Sequence, residues 1–207
     1  LRAILVGGAP VGGSLAHAVE ALTVPVYLTY GMTETASHIA LRRLNGPSAG
    51  PVYQVLPGIA VGQDERGCLT VRADVTNDAL IITNDLIRLA ADGHSFEWLG
   101  RADFVINSGG VKVAAEKVER ALYLALMELG LNRRAFVAGR PDARLGQQVT
   151  ALVEGAPLPE AAQQQLRELL GQHLDRYERP RQLIFVAEFQ TTASGKLDRN
   201  ATLRTTE

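Results

Sequence analysis

With 207 residues, 46% of them hydrophobic, the chain is long enough to bury a core and too apolar for the disordered class. Its 21 lysines and arginines stand against 22 aspartates and glutamates, a net charge of −1 that offers no broad basic surface for nucleic acid or anionic lipid, so any nucleotide must sit in a local pocket. A single cysteine, Cys68, excludes an internal disulfide, the four histidines form no zinc-ligand cluster, and no apolar run is long enough for a membrane helix, which together point to a cytoplasmic setting.

The chain opens on Leu1-Arg2-Ala3-Ile4-Leu5-Val6, which has no initiator Met and reads as a buried strand, so we expect the C-terminal part of a longer protein. Gly7 to Gly13 breaks that strand. Ser14 can then cap a helix with Leu15, Ala18, Val19 and Leu22 at helical spacing, and residues 25–28 read as a second strand. The result is a βαβ unit, whose ligands gather at the strand C-terminal ends.

From Gly50 to Gly100, short alternating strands and the turns Asp64-Glu65-Arg66-Gly67 and Asp92-Gly93 predict a β-rich middle. Beyond it the spacing predicts a helix from Ala115, with Val118, Leu122, Ala125, Leu126 and Leu129 on one face, and strands near Phe136 and over 149–153. A second helix follows Pro159, a strand covers 183–186, and residues 190–199 form a polar, turn-rich segment. The expected class is therefore mixed α/β and α+β. Residues 1–49 end a βαβ large domain, 50–102 form a β-rich subdomain, and 103–207 form a small α+β C-terminal domain.

Gly7-Gly8-Ala9-Pro10 lets backbone approach a ligand closely but fits neither the dinucleotide nor the Walker glycine pattern, so a tight connection is the plain alternative. Tyr30-Gly31-Met32-Thr33-Glu34-Thr35 gathers an aromatic face, a hydroxyl and a carboxylate in one loop. Those groups suit a base, a phosphate and a magnesium ion, although Thr33 could equally cap a helix.

This loop, Thr83-Asn84-Asp85, the run Gly100 to Lys112 and Thr192 to Arg199 together resemble the motif series of the adenylate-forming acyl-CoA synthetases. The resemblance spans essentially the whole chain, and Gly139-Arg140-Pro141-Asp142 with Leu145-Gly146-Gln147 agrees with it. Tyr30 to Arg42 and Val105 to Lys112 look most like the o-succinylbenzoate–CoA ligases of menaquinone biosynthesis.

By that resemblance Gly8, Ala9 and Pro10 would line an adenine slot, with Tyr30 stacking on the base beside Gly31 and Met32. Thr33 would bond the α-phosphate, Glu34 would hold Mg²⁺, Asp85 would accept both ribose hydroxyls, and Arg101 would contact ribose or phosphate. Lys196 would stabilise charge during adenylation, Asp103 would be the hinge, Gly109-Gly110 would lie by the CoA channel, and Ser37 and His38 could line the acyl pocket. Read without the resemblance, Asp85 is a turn-capping carboxylate, Lys196 a solvated side chain, Arg101 half of a surface ion pair and His38 a packed core histidine.

The resemblance implies ATP, Mg²⁺ and coenzyme A, a small carboxylic acid substrate, no nucleic acid and no membrane. It also implies a missing N-terminal part, because the family's Ser/Thr/Gly-rich phosphate loop has no counterpart here, and the chain alone should not adenylate. Phe104 replaces a frequent polar residue, Gln190 stands where Pro often precedes the last motif, and Asn84 replaces Gly, which Asn's tolerance of left-handed backbone would permit. The expected activity is an acid–thiol ligase. An adenylation domain loading a carrier protein and a non-catalytic nucleotide-binding fragment are the alternatives.

Overall fold

The computed structural model describes residues 1–7, 18–193 and 195–206. The chain divides into two compact units, Leu1–Asp103 and Phe104–Glu207.

Among the described residues the strands of the first unit form one eight-stranded sheet. Its strands are β1 (Ile4–Val6), β2 (Val26–Gly31), β3 (His38–Arg43), β4 (Val52–Val55), β5 (Ile59–Gln63), β6 (Cys68–Ala73), β7 (Ile81–Leu89) and β8 (Ser95–Arg101). They lie in the order β1-β2-β3-β4-β8-β7-β6-β5, so residues 1–49 and 50–102 contribute to the same sheet. Only β1 and β2 pair in parallel, the pairing a βαβ crossover requires, while the remaining neighbours are antiparallel. The expected glycine loop and helix start at residues 8–17 lie outside the described residues.

Leu28, Ile39, Tyr53, Leu69, Val71, Ile87 and Phe96 form the core of this unit. The entry to β2 is fixed by a buried amide: Asn45 Oδ1 accepts from Val26 N (2.9 Å), and its Nδ2 donates to the Leu22 and Val24 carbonyls (2.8 and 3.0 Å). The expected 64–67 turn is present. Gly67 takes φ +80°, which costs a residue without Cβ little, and Asp64 Oδ1 accepts from Arg66 N and Cys68 N.

The second unit pairs β9 (Val105–Ser108), β10 (Val111–Ala114), β11 (Ala135–Asp142) and β12 (Gly146–Glu154) in the order β10-β9-β12-β11, with β13 (Gln182–Val186) parallel to β12. Helices α1 (Ala115–Glu128) and α2 (Glu160–His173) form where the sequence places them, and α1 buries the expected apolar stripe. Val118, Leu122, Ala125 and Leu126 of α1 bury against Leu166 and Leu170 of α2 and against Val137, Val149, Ala151 and Val153 of the sheet. Burying a leucine side chain stabilises by about 1.5–3 kcal/mol, and this stripe therefore holds the unit together. Gly130, at φ +71°, stops α1, with Leu131 N donating to the Leu126 carbonyl (2.8 Å).

Two elements here differ from the sequence reading. The β9–β10 hairpin closes through Gly109 and Gly110 (φ +60° and +85°), with Ser108 opposite Val111, a two-residue turn whose Gly-Gly chemistry outweighs the short flanking strands. The tail also ends in a short helix, α3 (Arg199–Arg204), which has too little apolar period to be seen. Its signal is the cap, Asp198 Oδ1 accepting from Ala201 N (2.8 Å).

Candidate functional site

In the first unit a cleft of about 340 Å³ opens where the end of β2 meets β7, lined by Gly31, Met32 and Glu34 on one side and by residues 81–85 with Arg101 on the other. Gly31 is required by close packing: a Cβ there would lie 2.4 Å from the Ser37 carbonyl oxygen and 2.7 Å from His38 Cα, both backbone atoms. The following loop is tied by Thr35. Its buried hydroxyl accepts from Met32 N (3.1 Å) and donates to the Ser37 carbonyl (2.8 Å). Ala36 then turns left-handed at φ +55°, an uncommon state for a residue with a Cβ. Thr35 thus does the structural work, and the exposed side chains of Thr33 and Glu34 make no hydrogen bond or ion pair among the described residues.

Asp85 caps no turn; it lies inside β7. Its Oδ2 accepts from the Tyr30 hydroxyl (2.6 Å) and its Oδ1 from Trp98 Nε1 (3.1 Å), while Arg101 Nη1 stands 3.8 Å from Oδ1. The backbone is pinned as well, since Thr83 Oγ1 accepts from Asp85 N and donates to the Leu69 carbonyl. A carboxylate offers about four acceptor positions, and two remain once Tyr30 and Trp98 are served.

The Tyr30 ring packs edge-on against Tyr53 and Phe96, with centroids 5.8 and 5.4 Å away. Burial, with the Asp85 hydrogen bond and charge added, pushes its phenol well above the ordinary value, so it acts as a fixed donor. Asn84 makes no use of its tolerance for left-handed backbone; it is extended in β7, and Oδ1 accepts from Arg66 Nη1 (3.1 Å).

Tyr30, Thr33, Ser37 and His38 are not among the residues lining the cleft. Ser37 Oγ and His38 Nδ1 sit 3.2 Å apart at the start of β3. Gly8, Ala9 and Pro10 lie outside the described residues. Arg101 grips Asp103 with two bonds of 2.9 Å, so Asp103 is an exposed, ion-paired residue at the last position of the first unit. Sequence reasoning missed Trp98 and Thr35. The signal for Trp98 was available, as it is the sole tryptophan and stands three residues before Arg101.

In the second unit Lys196 is exposed at a tight turn. Thr191 bridges Leu197, Thr192 N donates to the Lys196 carbonyl (2.8 Å), and Gly195 takes φ +77°. Gly109 and Gly110 form the β9–β10 turn, with Gly109 N donating to the Leu145 carbonyl (2.9 Å). Among the described residues no group of three or more histidine, cysteine or acidic side chains could hold a metal, and no helix is long and apolar enough to cross a membrane.

Comparison with known proteins shows what the chain is similar to. Residues 125–196 match the AMP-binding enzyme C-terminal domain. The chain is 32% identical over 228 residues to a 2-succinylbenzoate–CoA ligase of a Geobacillus species, covering 96% of this chain and 45% of that ligase.

Among solved structures, an acyl-CoA synthetase (AMP-forming)/AMP-acid ligase II-like protein of Dyadobacter fermentans is 41% identical, with TM-score 0.51, covering 99% of this chain and 58% of that one. The o-succinylbenzoate CoA synthetase of Bacillus subtilis, in complex with the acyl-adenylate OSB-AMP, shares the fold at TM-score 0.76 and 24% identity, over 97% of this chain and 45% of that one. The chain spans about half the length of the curated relatives it matches. Residues 125–196 thus resemble an AMP-binding enzyme C-terminal domain, and over nearly all its length the chain is similar to part of the acyl-CoA ligases.

Proposed function

We propose that the chain is the C-terminal part of a cytoplasmic, ATP-dependent acid–CoA ligase that activates o-succinylbenzoate through an acyl-adenylate. The observation that carries this reading is Asp85: a carboxylate fixed by Trp98 and Tyr30 on the cleft wall, with acceptor positions left for a cis-diol, beside Arg101 and Glu34. A ribose presents such a diol. Tyr30 would face the base, Gly31 and Met32 would admit the nucleotide backbone closely, and the Thr33 hydroxyl would donate to the α-phosphate. Mg²⁺ takes one or two carboxylates together with phosphate oxygens and water, which Glu34, unpaired among the described residues, fits. Bound there, the ion would neutralise phosphate charge.

In the first half-reaction an oxygen of the substrate carboxylate bonds to the α-phosphorus and the bond to pyrophosphate breaks. Negative charge grows on the phosphoryl oxygens, and the Lys196 ammonium would stabilise it. In the second, the coenzyme A sulfur attacks the acyl carbonyl and AMP departs, with Gly109 and Gly110 beside the thiol and Asp103 as the pivot between steps. Ser37 and His38 would contribute to the acyl pocket. The matched relatives and the acyl-adenylate complex of the Bacillus subtilis synthetase support the substrate assignment.

The test is acid-dependent pyrophosphate exchange by the full-length protein with o-succinylbenzoate, followed by addition of coenzyme A. Release of the acyl-CoA is expected. Exchange without consumption of free CoA would favour delivery to a carrier protein, and no exchange with this or related aryl acids would overturn the reading.

A further inference from the structure

We propose that Arg199 is a positioning residue that fixes the base of the lysine turn and so sets where the Lys196 ammonium is held; this rests on the reading of Lys196 as the adenylation lysine. Lys196 has no side-chain partner among the described residues, and its place is decided by the segment beneath it. One end of that segment is anchored by Phe189, buried with Phe136 and Leu152. Between the ends, Asp198 N donates to the Gln190 carbonyl (2.9 Å), and Gln190 N donates to Thr202 Oγ1 (3.0 Å). These bonds close the segment into a loop with Lys196 near its tip.

The other end is Arg199. Its guanidinium makes a two-pronged pair with Glu119 of α1, with Nη2 3.0 Å from Oε2 and Nη1 on Oε1, and Nη1 also reaches the Val137 carbonyl (3.3 Å). Glu119 Oε1 accepts from Val137 N (2.8 Å), so helix, strand and tail meet in one network. The guanidinium carbon lies 4.3 Å from the Phe104 ring centroid and 5.5 Å from that of Phe136. Both ends of the pair are about four-fifths covered, at 21% and 19% side-chain exposure.

A flat cation stacked on rings and paired by two parallel bonds uses geometry that lysine cannot reproduce. Exposed ion pairs are worth little, but a sheltered, charge-assisted fork is worth more. Phe104 is the first residue of the second unit. Through its contact with Arg199, the start of that unit and the lysine turn form one rigid piece, so that backbone rotation before Phe104 carries Lys196 with it.

The test uses the full-length protein with Arg199→Met, Arg199→Lys, Glu119→Gln and the Arg199→Met/Glu119→Gln double variant, alongside Lys196→Ala. Three quantities are measured: pyrophosphate exchange, thioester formation from supplied acyl-adenylate, and amide hydrogen exchange over residues 190–198. Misplacement of a reacting group costs up to about 100-fold, so Arg199→Met should slow adenylation by about 10- to 100-fold at unchanged KM for ATP. Thioester formation should stay within about twofold, and Arg199→Lys should fall between wild type and Arg199→Met.

Amide exchange over 190–198 should accelerate, and the double variant should be no slower in adenylation than Arg199→Met, because one pair is being removed. Equal loss in both half-reactions, or unchanged adenylation in a folded Arg199→Met, overturns the proposal. If Lys196→Ala leaves adenylation intact, it is the lysine reading that fails. Amide exchange then decides the role of Arg199 alone: acceleration supports the anchor, and no change overturns it.

Discussion

The cleft of the first unit and the lysine turn of the second hold their polar groups in opposite ways. Asp85 is gripped from β2 by Tyr30 and from β8 by Trp98, and its own backbone is tied by Thr83. Lys196 stands exposed on a turn closed by backbone bonds and the Thr192 hydroxyl, and it is anchored only below the turn. A group that binds ground-state ligand gains from being rigid before the ligand arrives. A group that acts only on transition-state charge needs a fixed base and a clear tip.

The largest effect is expected in the core of the second unit. Leu122→Ala should destabilise that unit by about 2–5 kcal/mol, since Leu122 is fully buried in its apolar cluster. Amide exchange should accelerate over β11 and β12 and remain unchanged over β6 to β8, and nucleotide affinity should persist. Next in size, Lys196→Ala in the full-length protein should slow pyrophosphate exchange by about 10²- to 10³-fold, with calorimetric ATP affinity nearly unchanged. A large loss of affinity instead would make Lys196 a binding group.

A smaller and sharper effect concerns pH. Tyr30 is held protonated in the folded state by burial and by Asp85, while the unfolded phenol titrates near 10. Its contribution to stability is therefore complete below pH 10 and is lost as pH rises beyond it, because there the unfolded chain binds fewer protons than the folded one. Denaturant titrations from pH 9 to 11 should show a shallower fall for Tyr30→Phe than for wild type. A residual slope is expected from Tyr53, which burial also raises. Identical slopes would mean that Tyr30 is not the constrained donor.

The α1 stripe of Val118, Leu122, Ala125 and Leu126 was legible in the sequence because helical period and burial coincide there, and so was the glycine turn at Gly67. The motifs around Tyr30, Asp85 and Lys196 were legible as residue types. Their partners were not, because no local pattern announces that the indole of Trp98, which pairs with Ile87 on the neighbouring strand, reaches Asp85, or that Thr35 rather than Thr33 ties the loop. The first contact is made across strands, and the second is a local loop closure between residues 32 and 37. The tolerance of Asn for left-handed backbone was not needed at Asn84, which is ordinary strand with its side chain bonded to Arg66. Arg199 was visible as the end of a motif, but its pairing with Glu119 spans 80 residues of sequence and only the fold reveals it.

If Asp85 accepts the ribose hydroxyls of a bound adenine nucleotide, ligand and protein changes should be coupled. Calorimetric affinities of ATP and 2′,3′-dideoxy-ATP are compared for wild type and Asp85→Asn in the full-length protein. Asp85→Asn is chosen because complete removal of the carboxylate would leave the Tyr30 and Trp98 donors unpaired, at about 1–3 kcal/mol. Bonds to a charged acceptor are worth about 1.5–3 kcal/mol, so wild type should bind the dideoxy nucleotide about 10- to 100-fold more weakly than ATP, and that penalty should shrink markedly in Asp85→Asn. An equal penalty in both proteins would contradict the account and place the ribose elsewhere.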